Sequence, residues 1–513
     1  MEPMRNLAST WSAAVVGVEA LPVEVEVDAG GGKENFVVVG LADTAVKESR
    51  QRVKAAVWNS GYSCPKGFIT ASLAPADLKK GGPCFDLPIA LGLLACTGQI
   101  SGERLAEWMV VGELALDGEV RGVRGALAMA LLARSRRVKG LIVPTANAEE
   151  ASAVEGVRIV PVRDLREAGE VIDGKTIPQA KLSSNGAKKE GPTGAEAAED
   201  FSEVKGQEAV KRALEIAAAG NHNVLMIGPP GSGKSMLAKR LPGILPRMSL
   251  EESFETTRIH SVAGLIRSEG ALVKERPFRS PHHTISDIGL IGGSANPSPG
   301  EVSLAHHGVL FLDELPEFKR SALEVLRQPL EDGQVTISRA SGTMTFPARF
   351  MFVGAMNPSP RGYFEARSDG QAAKKYLNKI SGPLLDRIDL HLEVPAMKHE
   401  QLLAEAPGES SATIRARVER AREIQRVRFG PTSSIHANAQ MGPRELRKRV
   451  PMDREAKNLL SGAMSNLSLS ARALDRILKV ARTIADLAES EKVLLDHLAE
   501  AIQYRTLDRQ IWG

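Results

Sequence analysis

The 513-residue chain is too long for one ordinary core, and its length suggests about two to four domains. Hydrophobic residues make up 43% and charged residues 25%, as in ordinary globular proteins, and no run approaches the ~18 apolar residues of a membrane helix, so no membrane span or membrane partner is expected. A net charge of +4, 4% aromatic residues, and three cysteines (Cys64, Cys84, Cys96) without metal-type spacing argue against a disulfide scaffold or an aromatic stacking platform and fit a reducing cytoplasm.

The first thirty residues carry Glu19, Glu24, Glu26 and Asp28, unlike a secretory signal. Val23-Glu-Val-Glu-Val27 alternates as a half-exposed strand should, and Phe36 to Val39 is a short apolar run ending at Gly40. Ala45 to Trp58 reads as a helix, and the stretch Gly125 to Arg137 as a helix leading into a buried strand, Gly140-Leu-Ile-Val-Pro144. Lys181 to Glu199 is rich in Ser, Gly, Ala, Lys and Glu without apolar periodicity, the composition of a flexible linker. Beyond it lie three wholly apolar strand candidates, Val224 to Ile227, Val309 to Leu312 and Phe350 to Val353. Strands apolar on both faces and alternating with helices predict a parallel sheet covered on both sides. From about His399 the pattern is helical: Thr413 to Phe429, Asp453 to Ser465, Ala471 to Leu487 and His497 to Tyr504.

The first of these strands runs into Gly228, Pro229, Pro230, Gly231, Ser232, Gly233, Lys234 and Ser235, a phosphate loop with a strand before it and a helix after it. Glycines let backbone N–H groups turn toward phosphates, and the following helix adds the positive end of its dipole. Lys234 is expected to reach the β- and γ-phosphates of ATP, and the Ser235 hydroxyl to ligate Mg2+. Asp313, at the end of the strand Val309 to Leu312, is assigned to the magnesium shell, and Glu314 to polarising the attacking water. Asn357 fits a polar probe of the γ-phosphate. A turn residue before Pro358 is the alternative for it.

The order of phosphate loop, Leu-Asp-Glu314, Met-Asn-Pro358 and Leu-Leu-Asp-Arg387 resembles the AAA+ ATPases, and in detail their magnesium-chelatase-like branch. Five longer stretches resemble the competence ComM (YifB-like) family: Leu73-Ala-Pro-Ala-Asp-Leu-Lys-Lys80, Arg276-Pro-Phe-Arg-Ser-Pro-His-His-Thr284, Gly300-Glu-Val-Ser-Leu-Ala-His-His-Gly308, Ser381-Gly-Pro-Leu-Leu-Asp-Arg-Ile-Asp389 and Lys479-Val-Ala-Arg-Thr-Ile-Ala-Asp486. The resemblance spans nearly the whole chain. It implies an α/β AAA+ P-loop parallel sheet over 200–398, a C-terminal helical lid over 399–513, an N-terminal α+β Lon-protease-like domain over 1–175, and a linker at 176–199. It also implies a homo-oligomeric ring, a hexamer, with ATP between subunits. Arg387 corresponds to the arginine finger that reaches a neighbour's γ-phosphate, and Arg472 to the arginine of the helical lid; an ordinary surface ion pair is the alternative for either arginine taken alone.

The family is associated with DNA branch migration during natural transformation, which makes single-stranded or branched DNA the expected partner. The long interval between Lys234 and Asp313 leaves room for an insertion, which the resemblance places as a hairpin-bearing one at Ser261 to Val302. A second hairpin is readable directly from Val335 to Ser338 and Thr343 to Phe346. Its Arg339 is assigned to the DNA backbone, with a solvated turn arginine as the alternative. The helix Thr413 to Phe429 carries six arginines, at 415, 417, 420, 422, 426 and 428, on a face that suits phosphates, solvent or a neighbouring subunit.

Residues 20 to 144 resemble the proteolytic domain of Lon-like proteases, with Cys84 where those enzymes place the nucleophile. The position of their lysine base falls on Leu127, which cannot accept a proton, so peptidase activity is not expected. The pairs His282-His283 and His306-His307 have no accompanying cysteine, and adjacent side chains on a strand point oppositely, so no zinc site is expected. Ser359-Pro-Arg-Gly-Tyr363 stands where many relatives carry Cys-Pro-Cys-Gly-Tyr. Two other classes remain as alternatives: a chelatase-type subunit driving metal insertion, and an ATP-dependent Lon-like protease.

Overall fold

The computed structural model describes residues 7–40, 44–78, 80–175, 199–266, 272–293, 298–339, 342–359, 376–396, 408–431, 433, 435–467 and 470–507. The chain forms two compact units, Met1–Glu190 with Ser253–Val273, and Gly191–Glu252 with Lys274–Gly513. A piece of the interval between phosphate loop and acidic strand belongs to the first unit, and the C-terminal helices share one unit with the parallel sheet. The expected linker lies almost wholly outside the described residues.

The first unit is built on a seven-stranded mixed sheet. Its strand order is Asn35–Val39, Phe68–Ala74, Glu19–Gly30, Leu7–Val16, Trp108–Val110, Gly140–Pro144, Ile159–Val162. Glu19–Gly30 pairs antiparallel with both neighbours, and the remaining pairings are parallel. Alternation sends Val110 and Ile142 into one core and Met109, Val111, Leu141 and Val143 into another, so the sheet is buried on both faces. The helix Asp86–Cys96 is buried from Asp86 to Leu94. Its Asp86 carboxylate takes Arg52 at 2.7 and 3.1 Å and the Leu114 N–H at 3.3 Å, which satisfies a charge sealed from water. The Ser253–Val273 segment is tied in through Ser261, whose hydroxyl accepts the Gly125 N–H at 2.9 Å and donates to buried Glu150. Glu150 also takes the Leu127 N–H at 2.8 Å.

The second unit carries a five-stranded parallel sheet, ordered Phe278–Arg279, Val309–Leu312, Met351–Met356, Val224–Ile227, Leu390–Glu393. The three central strands are buried at every position, as their unbroken apolar sequences require. Helices Ser411–Phe429 and Ala471–Leu487 pack on Glu208–Gly220, and Ile414, Val418, Ile477, Val480 and Ile484 join the same apolar core as the sheet. A buried polar cluster ties strand end to helix. Asp389 accepts from Arg476 at 2.9 Å and from the Asn223 N–H at 3.0 Å, and lies 3.3 Å from His222 Nδ1; the other ring nitrogen of His222 is 2.7 Å from Thr483. No helix among the described residues is long and apolar enough to cross a membrane.

Candidate nucleotide site

The strand Val224–Ile227 delivers the chain to the phosphate loop, and the helix Lys234–Arg240 begins on its last residues. Two glycines are sterically required. A Cβ on Gly228 would sit 2.1 Å from the Val394 carbonyl oxygen, and Gly233 has φ +88°, a left-handed conformation costly to other residues. The Lys234 ammonium donates to the carbonyls of Gly228 at 2.7 Å and Pro229 at 2.9 Å and to Asn357 Oδ1 at 3.2 Å. Burial pulls its pKa below the usual lysine value, with Asp313 opposing. Lys234 and Asn357 are 123 residues apart in sequence and meet here because their strands are neighbours in the sheet.

Ser235 donates its hydroxyl to Asp313 Oδ2 at 2.6 Å. A hydroxyl and a carboxylate in contact beside a phosphate loop are hard oxygen donors of the kind Mg2+ takes while keeping most of its water. These two residues therefore fit the ion, and would hold it where it neutralises phosphate charge. Glu314 follows with φ +50°, strained for a non-glycine residue, and leaves its carboxylate exposed. His283 Nδ1 lies 3.8 Å from that carboxylate.

Arg387 and Arg472 gather elsewhere in the second unit. Arg387 pairs with Glu331 and donates to the Pro383 carbonyl at 2.6 Å, while Arg472 reaches Asp386, the residue before Arg387, at 3.4 Å. Both line one cleft of about 620 Å3, together with Arg476 and Lys479, and none of the phosphate-loop residues lines it. The small hairpin expected in the insertion is present as Gly292–Gly293 paired with Ser298–Pro299, and Gln334–Arg339 pairs with Gly342–Pro347. The turn of that second hairpin and the side chain of Arg339 lie outside the described residues, as does most of Ser359 to Tyr363.

Sequence reasoning missed two residues. Gln207 donates to the Ser232 carbonyl at 2.8 Å, bracing the loop, and its side-chain oxygen is buried without a partner among the described residues. The other is His283, which stands beside the Glu314 carboxylate. The strand premise used for the histidines also fails: neither pair lies on a strand, and the rings stand side by side with centroids 4.1 Å (His282, His283) and 3.9 Å (His306, His307) apart. His306 Nδ1 accepts the Arg349 N–H at 3.0 Å, and His307 Nδ1 lies 3.5 Å from Glu252. In the first unit Cys84 is buried, its sulfur 3.8 Å from the Ala13 carbonyl oxygen, and it belongs to a different core cluster from Leu127.

Family models described as magnesium chelatase, subunit ChlI; subunit ChlI of Mg-chelatase; and magnesium chelatase, subunit ChlI C-terminal match residues 200–402, 25–147 and 408–505. The chain is 44% identical over 511 residues to the YifB protein of Escherichia coli K12, covering 98% of each. It is 43% identical over 513 residues to the competence protein ComM of Haemophilus influenzae, again covering 98% of each. Similarity to the magnesium-chelatase 38 kDa subunit of Rhodobacter capsulatus is 26% over 174 residues, 31% of this chain and 50% of that one. With full-length identity of this order, and with this sheet and these C-terminal helices, the chain belongs to the ComM/YifB family of magnesium-chelatase-like AAA+ proteins.

Proposed function

We propose that this chain is an ATP-hydrolysing ring motor whose nucleotide site is completed by a neighbouring subunit, and that it works on single-stranded or branched DNA. The observation that carries the reading is the separation of its charged parts. Lys234, Ser235, Asp313 and Asn357 converge on the phosphate loop. Arg387 and Arg472 are held together at another cleft. Phosphoryl transfer is accelerated chiefly by positive charge placed on the transferring group. Arginines gathered away from their own loop serve that purpose on the next subunit's ATP. A closed ring, a hexamer by family resemblance, repeats such a head-to-tail boundary.

In this reading the loop amides and Lys234 hold the phosphates, and bound Mg2+ supplies charge neutralisation. Glu314 orients and deprotonates the water, Asn357 contacts the γ-phosphate, and Arg387 with Arg472 stabilises the neighbour's transition state. The DNA assignment is supported by the full-length similarity to a competence protein, set against a partial match to a chelatase subunit. Branch migration of incoming DNA in the cytoplasm is the specific task proposed, with Arg339 on its hairpin as a DNA contact. The first unit, with a buried Cys84 and a leucine at 127, is read as a Lon-like fold without peptidase activity. ATP turnover stimulated by forked DNA, together with strand displacement, tests the proposal. Turnover that ignores every DNA substrate and responds instead to chelatase partner subunits would assign the motor to metal insertion.

A further inference from the structure

The partners of the arginine-rich helix Ser411–Phe429 divide its six arginines. Arg417 is held by Glu215 and Glu409, Arg428 by Asp486 at 2.8 Å, and Arg426 by Glu423, while Arg420 lies 3.7 Å from Glu489. Arg415 donates to the Gly243 carbonyl at 2.9 Å. Most of the expected basic face is thus spent on internal pairing. Arg422 differs. It has no carboxylate partner among the described residues, its Nη1 donates only to the His436 carbonyl at 3.2 Å, and its Nε is buried with no acceptor.

Beside Arg422 lies a cavity of about 40 Å3, within the second unit, whose lining includes Glu252, Arg276, His307, Arg349 and Gln440. Glu252 is the one carboxylate of that lining, and it already accepts from Arg276 at 2.9 Å and lies 3.5 Å from His307. Three guanidiniums therefore share one committed carboxylate. Burial, reinforced by repulsion from Arg276, pushes Arg422 down to about 10, and Glu252 offsets this only in part. Arg422 as a residue is half-buried, with its Nε sealed from water; three guanidiniums around one committed carboxylate are costly there, and a second anion would relieve them. The space has room for a few waters or one tetrahedral ion, and a guanidinium's planar set of donors matches phosphate oxygens.

We propose that this cavity is a second anion site, separate from the phosphate loop, which takes a tetrahedral phosphate-type oxyanion on Arg422 with Arg276 and Arg349 around it. The inference stands whether or not the DNA reading holds. The same chemistry arrives as free inorganic phosphate or as the terminal phosphate of a nucleic-acid strand.

The test is titration of inorganic phosphate into the full-length protein saturated with magnesium and a non-hydrolysable ATP analogue, so that the loop is occupied through its γ-phosphate position, read by calorimetry and by thermal melting. One saturable site is expected in the wild type. Arg422→Gln abolishes it, and Arg349→Gln, at an exposed position, weakens it about tenfold, the worth of one charge-assisted contact. In phosphate-free buffer Arg422→Gln melts no lower than wild type, and phosphate raises only the wild-type Tm. A purely structural arginine gives the reverse: a destabilised Arg422→Gln and a wild type indifferent to phosphate. Absence of saturable binding, or binding unchanged by either substitution, overturns the site; if Arg422→Gln does not fold, the Arg349→Gln result alone decides. Displacement of phosphate by a 5′-phosphorylated single strand, but not by its 5′-hydroxyl twin, assigns the site to strand ends. Displacement by neither assigns it to free phosphate.

Discussion

Asp389→Asn removes the charge at the centre of the polar cluster that joins the sheet to the helix Ala471–Leu487. Asp389 is 1% exposed, so water cannot replace what is lost. Burial alone would raise its carboxyl, yet Arg476 and His222 outweigh burial and hold it well below the usual carboxylate range. The substitution keeps the shape and leaves the Arg476 guanidinium at 2.9 Å and the Asn223 N–H at 3.0 Å facing a neutral amide. Hydrogen bonds to charged groups contribute ~1.5–3 kcal/mol each, and breaking a buried pair costs ~3–5 kcal/mol, so ~3 kcal/mol is expected. That corresponds to a rise of about 100-fold in the opening of this part of the unit. Hydrogen exchange of the peptides covering Ala471–Leu487 reads it locally, which a melt of a two-unit chain does not. A loss under ~1 kcal/mol would refute the view that this cluster fastens the helix to the sheet.

The same cluster sets a pH dependence. Burial lowers the pKa of His222, with Asp389 opposing, so the folded form keeps it neutral; its contribution is complete above about pH 6.5 and is lost on acidification, by at most ~1.4 kcal/mol per pH unit. Protection of Ala471–Leu487 should fall as the pH drops below about 6.5, and His222→Gln should lose that slope; Asp389, whose pKa is depressed, adds its own loss only below about pH 4. Gly228→Ala places a methyl 2.1 Å from the Val394 carbonyl oxygen and should weaken ADP binding at least about tenfold in a fluorescent-nucleotide titration. Asp86→Ala strands Arg52 and the Leu114 N–H and should destabilise the first unit by ~3 kcal/mol, followed through the fluorescence of buried Trp108.

What could be read in advance was local. Val224–Ile227 and Val309–Leu312 announce themselves because a strand covered on both faces is apolar at every position, and the phosphate loop because only glycine meets its backbone demands. The helix Ala471–Leu487 was legible to the residue from its apolar period. Long-range pairing was hidden. Nothing in the run Ser253–Val273 says that Ser261 will meet Glu150, 111 residues away. Nor does the arginine-rich helix reveal that Glu215, 202 residues earlier, neutralises Arg417. The edge strand Phe278–Arg279 is two residues long and carries no period at all. Gln207 braces the phosphate loop from outside it, and a lone glutamine gives no sequence signal of that role.

Mixing two inactive variants tests the shared site most directly. Glu314→Gln removes the water-activating carboxylate, and Arg387→Ala removes the charge proposed to act across the boundary. Each alone should hydrolyse ATP poorly, while an equimolar mixture should recover activity, because roughly a quarter of randomly formed boundaries pair an intact Glu314 with an intact Arg387. Full activity of Arg387→Ala alone, or a mixture no better than its parts, would contradict hydrolysis at a subunit boundary.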